Sequence, residues 1–150
     1  MGTTPAKGSG YKRQGCYAYV ATQPVTFTSG NIYQVKIDTG LSNFNDDAML
    51  DAANNQVKIA VSGRYKIWGH VNWQLNTANS RAIYINITSA DYGSYIVSDV
   101  MQPVATYGCG MVVATEADLK KNDTVILQVY QNSGGNLTAN NLALRVQEIG

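Results

Sequence analysis

The chain holds one histidine, His70, two cysteines, Cys16 and Cys109, and ten acidic side chains, and these groups bound the chemistry it could perform. A nucleophilic hydrolase needs a base beside its serine or cysteine, so any triad would depend wholly on His70, which lies in a strand-like run. No G-x-S-x-G elbow, glycine-rich phosphate loop, dinucleotide turn or His-Glu-x-x-His pair occurs. His70 is therefore read as a packing or interface side chain. Cys16 and Cys109 match no metal spacing such as C-x-x-C, and they are read as buried free thiols, a disulfide being the alternative. A glycosidase would need two carboxylates facing each other across a cleft. Asp46, Asp47 and Asp51 form a cluster after Asn43-Phe44-Asn45, in what reads as a loop. Its spacing is not that of a calcium loop, so it is read as a solvated turn. No catalytic residue, metal or cofactor is expected, and the chain is expected not to be an enzyme.

The 150 residues are 45% hydrophobic and 14% charged, with Lys+Arg 11 against Asp+Glu 10. That is one domain's worth of sequence, enough to hide roughly 70% of the unfolded surface and build a core without staples. A near-neutral balance with no basic block gives no electrostatic footprint for duplex nucleic acid or an anionic membrane. No apolar run approaches the ~20 residues that cross a bilayer, so no membrane insertion is expected. Residues 1–15 are rich in small residues, lack the apolar stretch of a secretory signal, and read as a flexible arm. Residues 16–150 read as the folded domain.

Helical periodicity is scarce, while alternation is everywhere. Val57, Ile59 and Val61 alternate with polar or small residues, Ser62-Gly63 interrupts, and Tyr65, Ile67, Val71 and Trp73 resume, which predicts a hairpin. Ile83, Ile85 and Ile87 share one strand face. Val125, Leu127 and Val129 share another, and Leu142, Leu144 and Val146 repeat the pattern after a Gly134-Gly135-Asn136 turn, so these two strands are expected to pair. Weaker strands fall at about 16–20, 25–28, 32–38, 94–100 and 109–115, with residues 115–121 as a tight connector. About ten short antiparallel strands indicate an all-β sandwich or jelly roll. If Tyr65, Ile67, Val71 and Trp73 face inward, Trp68 and His70 face outward, and by the same parity so do Tyr84, Ile126 and Tyr130. Aromatic groups recurring on outward faces are expected to form a subunit interface.

The order of segments then resembles a known family. The run Gln23-Pro-Val-Thr-Phe27, Gly63-Arg-Tyr65 at the start of a core strand, Ala82-Ile-Tyr-Ile-Asn86, Leu-x-x-x-Asp-x-Val from Leu119 to Val125, and Asn141-Leu-Ala-Leu144 are similar to the globular heads of the first complement component and tumour necrosis factor. The family pattern has Gly before that Asp, where this chain has Asn122, a residue that also reaches left-handed geometry. The resemblance implies a ten-stranded jelly roll assembled as a homotrimer, with aromatic and aliphatic side chains of one sheet meeting around the threefold axis. Heads of this type also occur on phage particles. With no stalk or export signal in view, the expected role is a virion surface protein, a capsid decoration protein whose arm with Lys7, Lys12 and Arg13 orders on the capsid shell. The alternatives are a tail-fibre receptor-binding head, with Tyr92 and Tyr95 in a loop that meets a host receptor or glycan, and an extracellular, complement-like ligand-binding module.

Overall fold

Alternation of β-branched or aromatic residues with polar ones fits a pleated surface with one dry side. The computed structural model describes residues 12–102 and 108–150, and among them it forms twelve strands, numbered in chain order, all paired antiparallel. The first sheet contains β1 (Gly15–Tyr19), β4 (Thr39–Asn45), β7 (Gly63–Trp73), β10 (Cys109–Leu119) and β12 (Leu137–Glu148) in the order β10-β7-β12-β1-β4, with β2 (Val25–Phe27) also paired to β12. The second contains β5 (Leu50–Asp51), β6 (Gln56–Lys58), β8 (Arg81–Ser89), β9 (Gly93–Met101) and β11 (Thr124–Gln131) in the order β5-β6-β11-β8-β9, with β3 (Ile32–Gln34) paired to β11. The expected all-β sandwich is the fold found.

The inward rows fill the space between the sheets. Tyr65, Ile67 and Val71 of β7 and Leu144 and Val146 of β12 meet Ile83, Ile85 and Ile87 of β8 and Val125, Leu127 and Val129 of β11, all fully buried. Gly69 breaks the inward row of β7 because a Cβ there would stand 2.6 Å from Leu127 Cδ1. Gly69→Ala is expected to overpack this seam and cost ~1–3 kcal/mol, read as a lower urea midpoint with an unchanged slope.

Three expectations of strand pairing and extent are corrected. Residues 56–58 and 63–73 do not form a hairpin, because β6 pairs with β5 and β11 in the second sheet while β7 lies in the first. Ile59–Ser62 carries the chain across the sandwich, and the Tyr65 hydroxyl anchors that crossing by donating to the Val61 carbonyl at 2.6 Å. Likewise β11 and β12 do not pair; they face each other from opposite sheets, which suits two strands with equally apolar inward rows. Residues 115–119 continue β10 instead of forming a connector, held opposite Gly63–Ile67. Asn122 has φ 77, the left-handed geometry its type tolerates, and Asp123 closes the turn by accepting from the Lys120 N–H at 2.9 Å.

Candidate functional site

Every second residue of β1, β12 and β7 points out of the first sheet, and the register aligns Tyr17 with Arg145 and Arg145 with Trp68. The guanidinium is thereby stacked between two rings, its Cζ 4.6 Å from the Trp68 centroid and 4.9 Å from that of Phe44 on β4. One Nη donates to Gln147 Oε1 at 3.3 Å, while the buried Nε has no hydrogen-bond partner among the described residues. No carboxylate among the described residues forms an ion pair with it. Beside this row, Tyr17 Oη lies 3.5 Å from His70 Nε2, and Tyr17, Tyr19, Leu41, His70 and Ala143 line a depression of about 240 Å³. The outer face of the first sheet is thus an aromatic plate around a half-buried cation that has no counter-charge among the described residues.

Burial pulls the His70 pKa below its usual value, with a backbone hydrogen bond at Asn141 opposing. A depressed histidine binds its proton more weakly in the folded than in the unfolded chain. Its contribution to stability is present above about pH 6.5, the unfolded value, and is lost as pH falls through the lower folded pKa. His70→Gln is expected to flatten the acid limb of a stability-versus-pH profile over that window while leaving the neutral limb in place.

Strands β9 and β10 form the edges of the two sheets on one side of the sandwich. Large apolar groups are exposed there, with Val100 at 62%, Val112 at 61% and Ile96 at 56%, together with Tyr95 and Met101. Asp99 is half-buried on the face of β9 shared by Tyr95 and Met101, whereas Ile96 and Val100 lie on the other face of that strand and Val112 on the outer face of the first sheet. Of the ten side-chain carboxylates, only Asp47 and Asp99 show no hydrogen-bond or ion-pair partner among the described residues. Asp47 is exposed at the turn after β4.

The five residues expected to form one interface do not share a face. Trp68 and His70 lie on the outer face of the first sheet, whereas Tyr84, Ile126 and Tyr130 lie on the outer face of the second. Strand parity assigns a residue inward or outward but cannot say on which sheet, so the expectation that all five meet around one axis is corrected. Tyr17, Tyr19, Phe44 and Arg145 went unrecognised. The tyrosines carry a signal, alternating with buried Cys16 and Ala18 along β1, whereas Phe44 sits in a segment read as loop. Tyr92 and Tyr95 are exposed at the β8–β9 turn and on β9. Lys12 bonds Asp46, Arg13 is exposed, and Lys7 lies outside the described residues.

The acidic cluster has structural tasks. Asp46 accepts from Lys12 and from the Gly15 N–H, and Asp51 caps the turn at 52–54, where the side chains of Asn54 and Gln56 hold its carboxyl below the usual range. Among the described residues no group of three potential ligands could hold a metal. Cys16 and Cys109 are buried free thiols, and burial, with Asp46 adding, pushes Cys16 up to about 12. Both are expected to stay unmodified by a thiol reagent at pH 8 in the folded chain and to react together in denaturant.

No family profile matches this sequence, and no curated protein does either. Solved structures do match. Eiger TNF from S. frugiperda superposes with a TM-score of 0.69 at 12% identity, over 92% of this chain and 93% of that one. The globular domain of zebrafish complement 1qA gives 0.66 at 14% identity, over 93% and 98%. The fold is that of the tumour necrosis factor and complement 1q heads. Murine APRIL at pH 5.0 agrees, with 0.67 at 10% identity over 92% of this chain and 100% of that one. Within this jelly-roll head, Gly63 opens β7, and Leu119 closes β10 four residues before Asp123, at the places where the sequence motifs put them. Among the described residues no helix is long and apolar enough to cross a membrane.

Proposed function

We propose that the chain is a non-enzymatic, extracellular ligand-binding head that works as a homotrimer, in which the outer face of the first sheet is covered by the β9–β10 edge of the next copy. The observation that carries this is the pairing of two incomplete sites. Arg145 is a half-buried cation without an anion among the described residues, framed by Trp68, Phe44 and Tyr17. Asp99 is a half-buried anion without a cation among the described residues, on the face of edge strand β9 that also carries exposed Tyr95 and Met101. Such charges are costly alone and stabilising when matched. Because face and edge are different surfaces, their contact is head-to-tail, and a threefold rotation closes it as a ring.

The capsid-decoration reading leans on an arm of which residues 1–11 lie outside the described residues, and no observation on the folded head favours it. Sedimentation equilibrium of the intact chain tests the assembly. A mass three times the 16.2 kDa protomer at micromolar concentration is expected, and a protomer mass there would overturn the proposal.

A further inference from the structure

We propose that the outer face of the second sheet is a binding platform for a neutral oligosaccharide. The outward positions of β3, β11, β8 and β9 carry Ile32, Ile126, Ile96 and Val100 but no lysine, arginine, aspartate or glutamate, the sheet's outward charges Asp51 and Lys58 lying apart on β5 and β6, in contrast to Arg64, Lys66, Glu116, Asp118 and Arg145 on the outer face of the first sheet. Tyr84 and Tyr130 stand as diagonal neighbours on paired strands, both half-buried, so their rings are held by the sheet while one side of each faces out. Burial and the neighbouring Tyr130 both push the Tyr84 phenol up, as expected of two hydroxyls in one patch.

The polar groups beside the rings are unspent. The Gln128 amide, directly opposite Tyr84, makes no hydrogen bond to any described residue. Asn86 accepts from Ser94 Oγ at 3.0 Å, which leaves its NH₂ free, and Gln34 donates to the Asn54 and Asn55 carbonyls, which leaves its carbonyl oxygen free. An amide offers both donors and acceptors, as a sugar hydroxyl requires, and an aromatic ring packs against the C–H face of a pyranose.

The absence of charge selects the occupant. A nucleic acid or an acidic lipid brings phosphates that the outward positions of these four strands cannot neutralise. A protein partner brings about a quarter charged residues, which would be desolvated here without a counter-charge. A lipid tail would strand the amides and phenols. A neutral polyol brings no charge to desolvate, its hydroxyls meet the amides and phenols, and its C–H faces cover Ile96, Ile126 and Val100 as they cover the rings. The proposal rests on the ligand-binding reading above only for its reach: a trimer that buries the first sheet's face leaves three copies of this platform outward, and their avidity compensates a weak single site.

Calorimetric titration of the intact chain with maltohexaose, cellohexaose and chitohexaose, and with sialyllactose and a heparin hexasaccharide as anionic probes, tests it. Binding of at least one neutral probe is expected, weakened roughly tenfold by Tyr84→Ala or Tyr130→Ala and also by Gln128→Ala, whose side chain holds nothing in the fold, with oligomeric mass unchanged. No binding of any neutral probe, binding confined to the anionic probes, or binding indifferent to these variants would overturn it. A monomer that binds a neutral probe in this way would sink the assembly and leave the platform standing. A trimer that binds none would do the reverse.

Discussion

Arg145→Glu is expected to turn the assembled protein into monomers at micromolar concentration without unfolding the head. The guanidinium lies on an outer face, so its loss opens no hole in the core, and Trp68, Phe44 and Tyr17 remain in place. In the assembly the new carboxylate would confront Asp99 of the neighbouring copy at each of the contacts closing the ring. Removing one member of a desolvated ion pair costs about 3–5 kcal/mol, and reversing its sign costs more, so the association constant falls by at least about a hundredfold per contact. Asp99→Arg is expected to dissociate the protein equally. The double variant, with the charges exchanged, is expected to recover most of the trimer. Recovery is the informative outcome, because two unrelated destabilising substitutions add while two halves of one contact compensate. A trimer indifferent to either single variant would show that Arg145 and Asp99 do not meet.

Arg81→Met is expected to give the largest loss of stability of any polar substitution in the head. Arg81 is fully buried, and its guanidinium donates to three main-chain carbonyls, those of Asn76, Ala78 and Ser80, at 2.9–3.0 Å. It thereby pins the β7–β8 connection over the sandwich end. Ser80 and Asn79 extend that anchor to Asn132 at the end of β11. Methionine keeps much of the volume but leaves those carbonyls without a donor, at about 1 kcal/mol or more for each bond. A loss of ~3 kcal/mol is expected, seen as a fall in Tm of roughly 10 °C. Because Arg81 holds a loop and touches neither candidate face, the variant that does fold is expected to remain trimeric.

Sequence alternation made the sandwich legible because a half-buried strand must place apolar groups at period two, and the inward rows at 65–73, 83–87, 125–129 and 142–146 all do so. What alternation cannot report is partnership. Two strands adjacent in the chain with matching apolar rows look alike whether they pair side by side or face each other across the core, which is why β6 and β7, and β11 and β12, were expected as hairpins. The same blindness scattered the interface candidates over two faces. Trp68 and His70 were legible as outward, but the residue that gives their face its chemistry, Arg145, is an ordinary outward arginine in sequence. It becomes distinctive only when the register sets it against Trp68 and Tyr17, with no ion pair to a carboxylate among the described residues. Asp99 is hidden for the same reason, since being unpaired is a property of the fold. Short β4 and β5 were missed because their seven and two residues surround an acidic turn that masks alternation.

The two tryptophans give the most direct measurement of whether the first sheet's outer face is covered. Trp73 is 3% exposed within the core, whereas Trp68 is half-buried and lies on the plate itself. Acrylamide quenching of the intact protein at concentrations where it sediments as its native species is predicted to find both rings shielded, with one quenchable component emerging only in Arg145→Glu. A quenchable tryptophan in the native species would mean that this face stands open to water, and the account of the assembly would be contradicted.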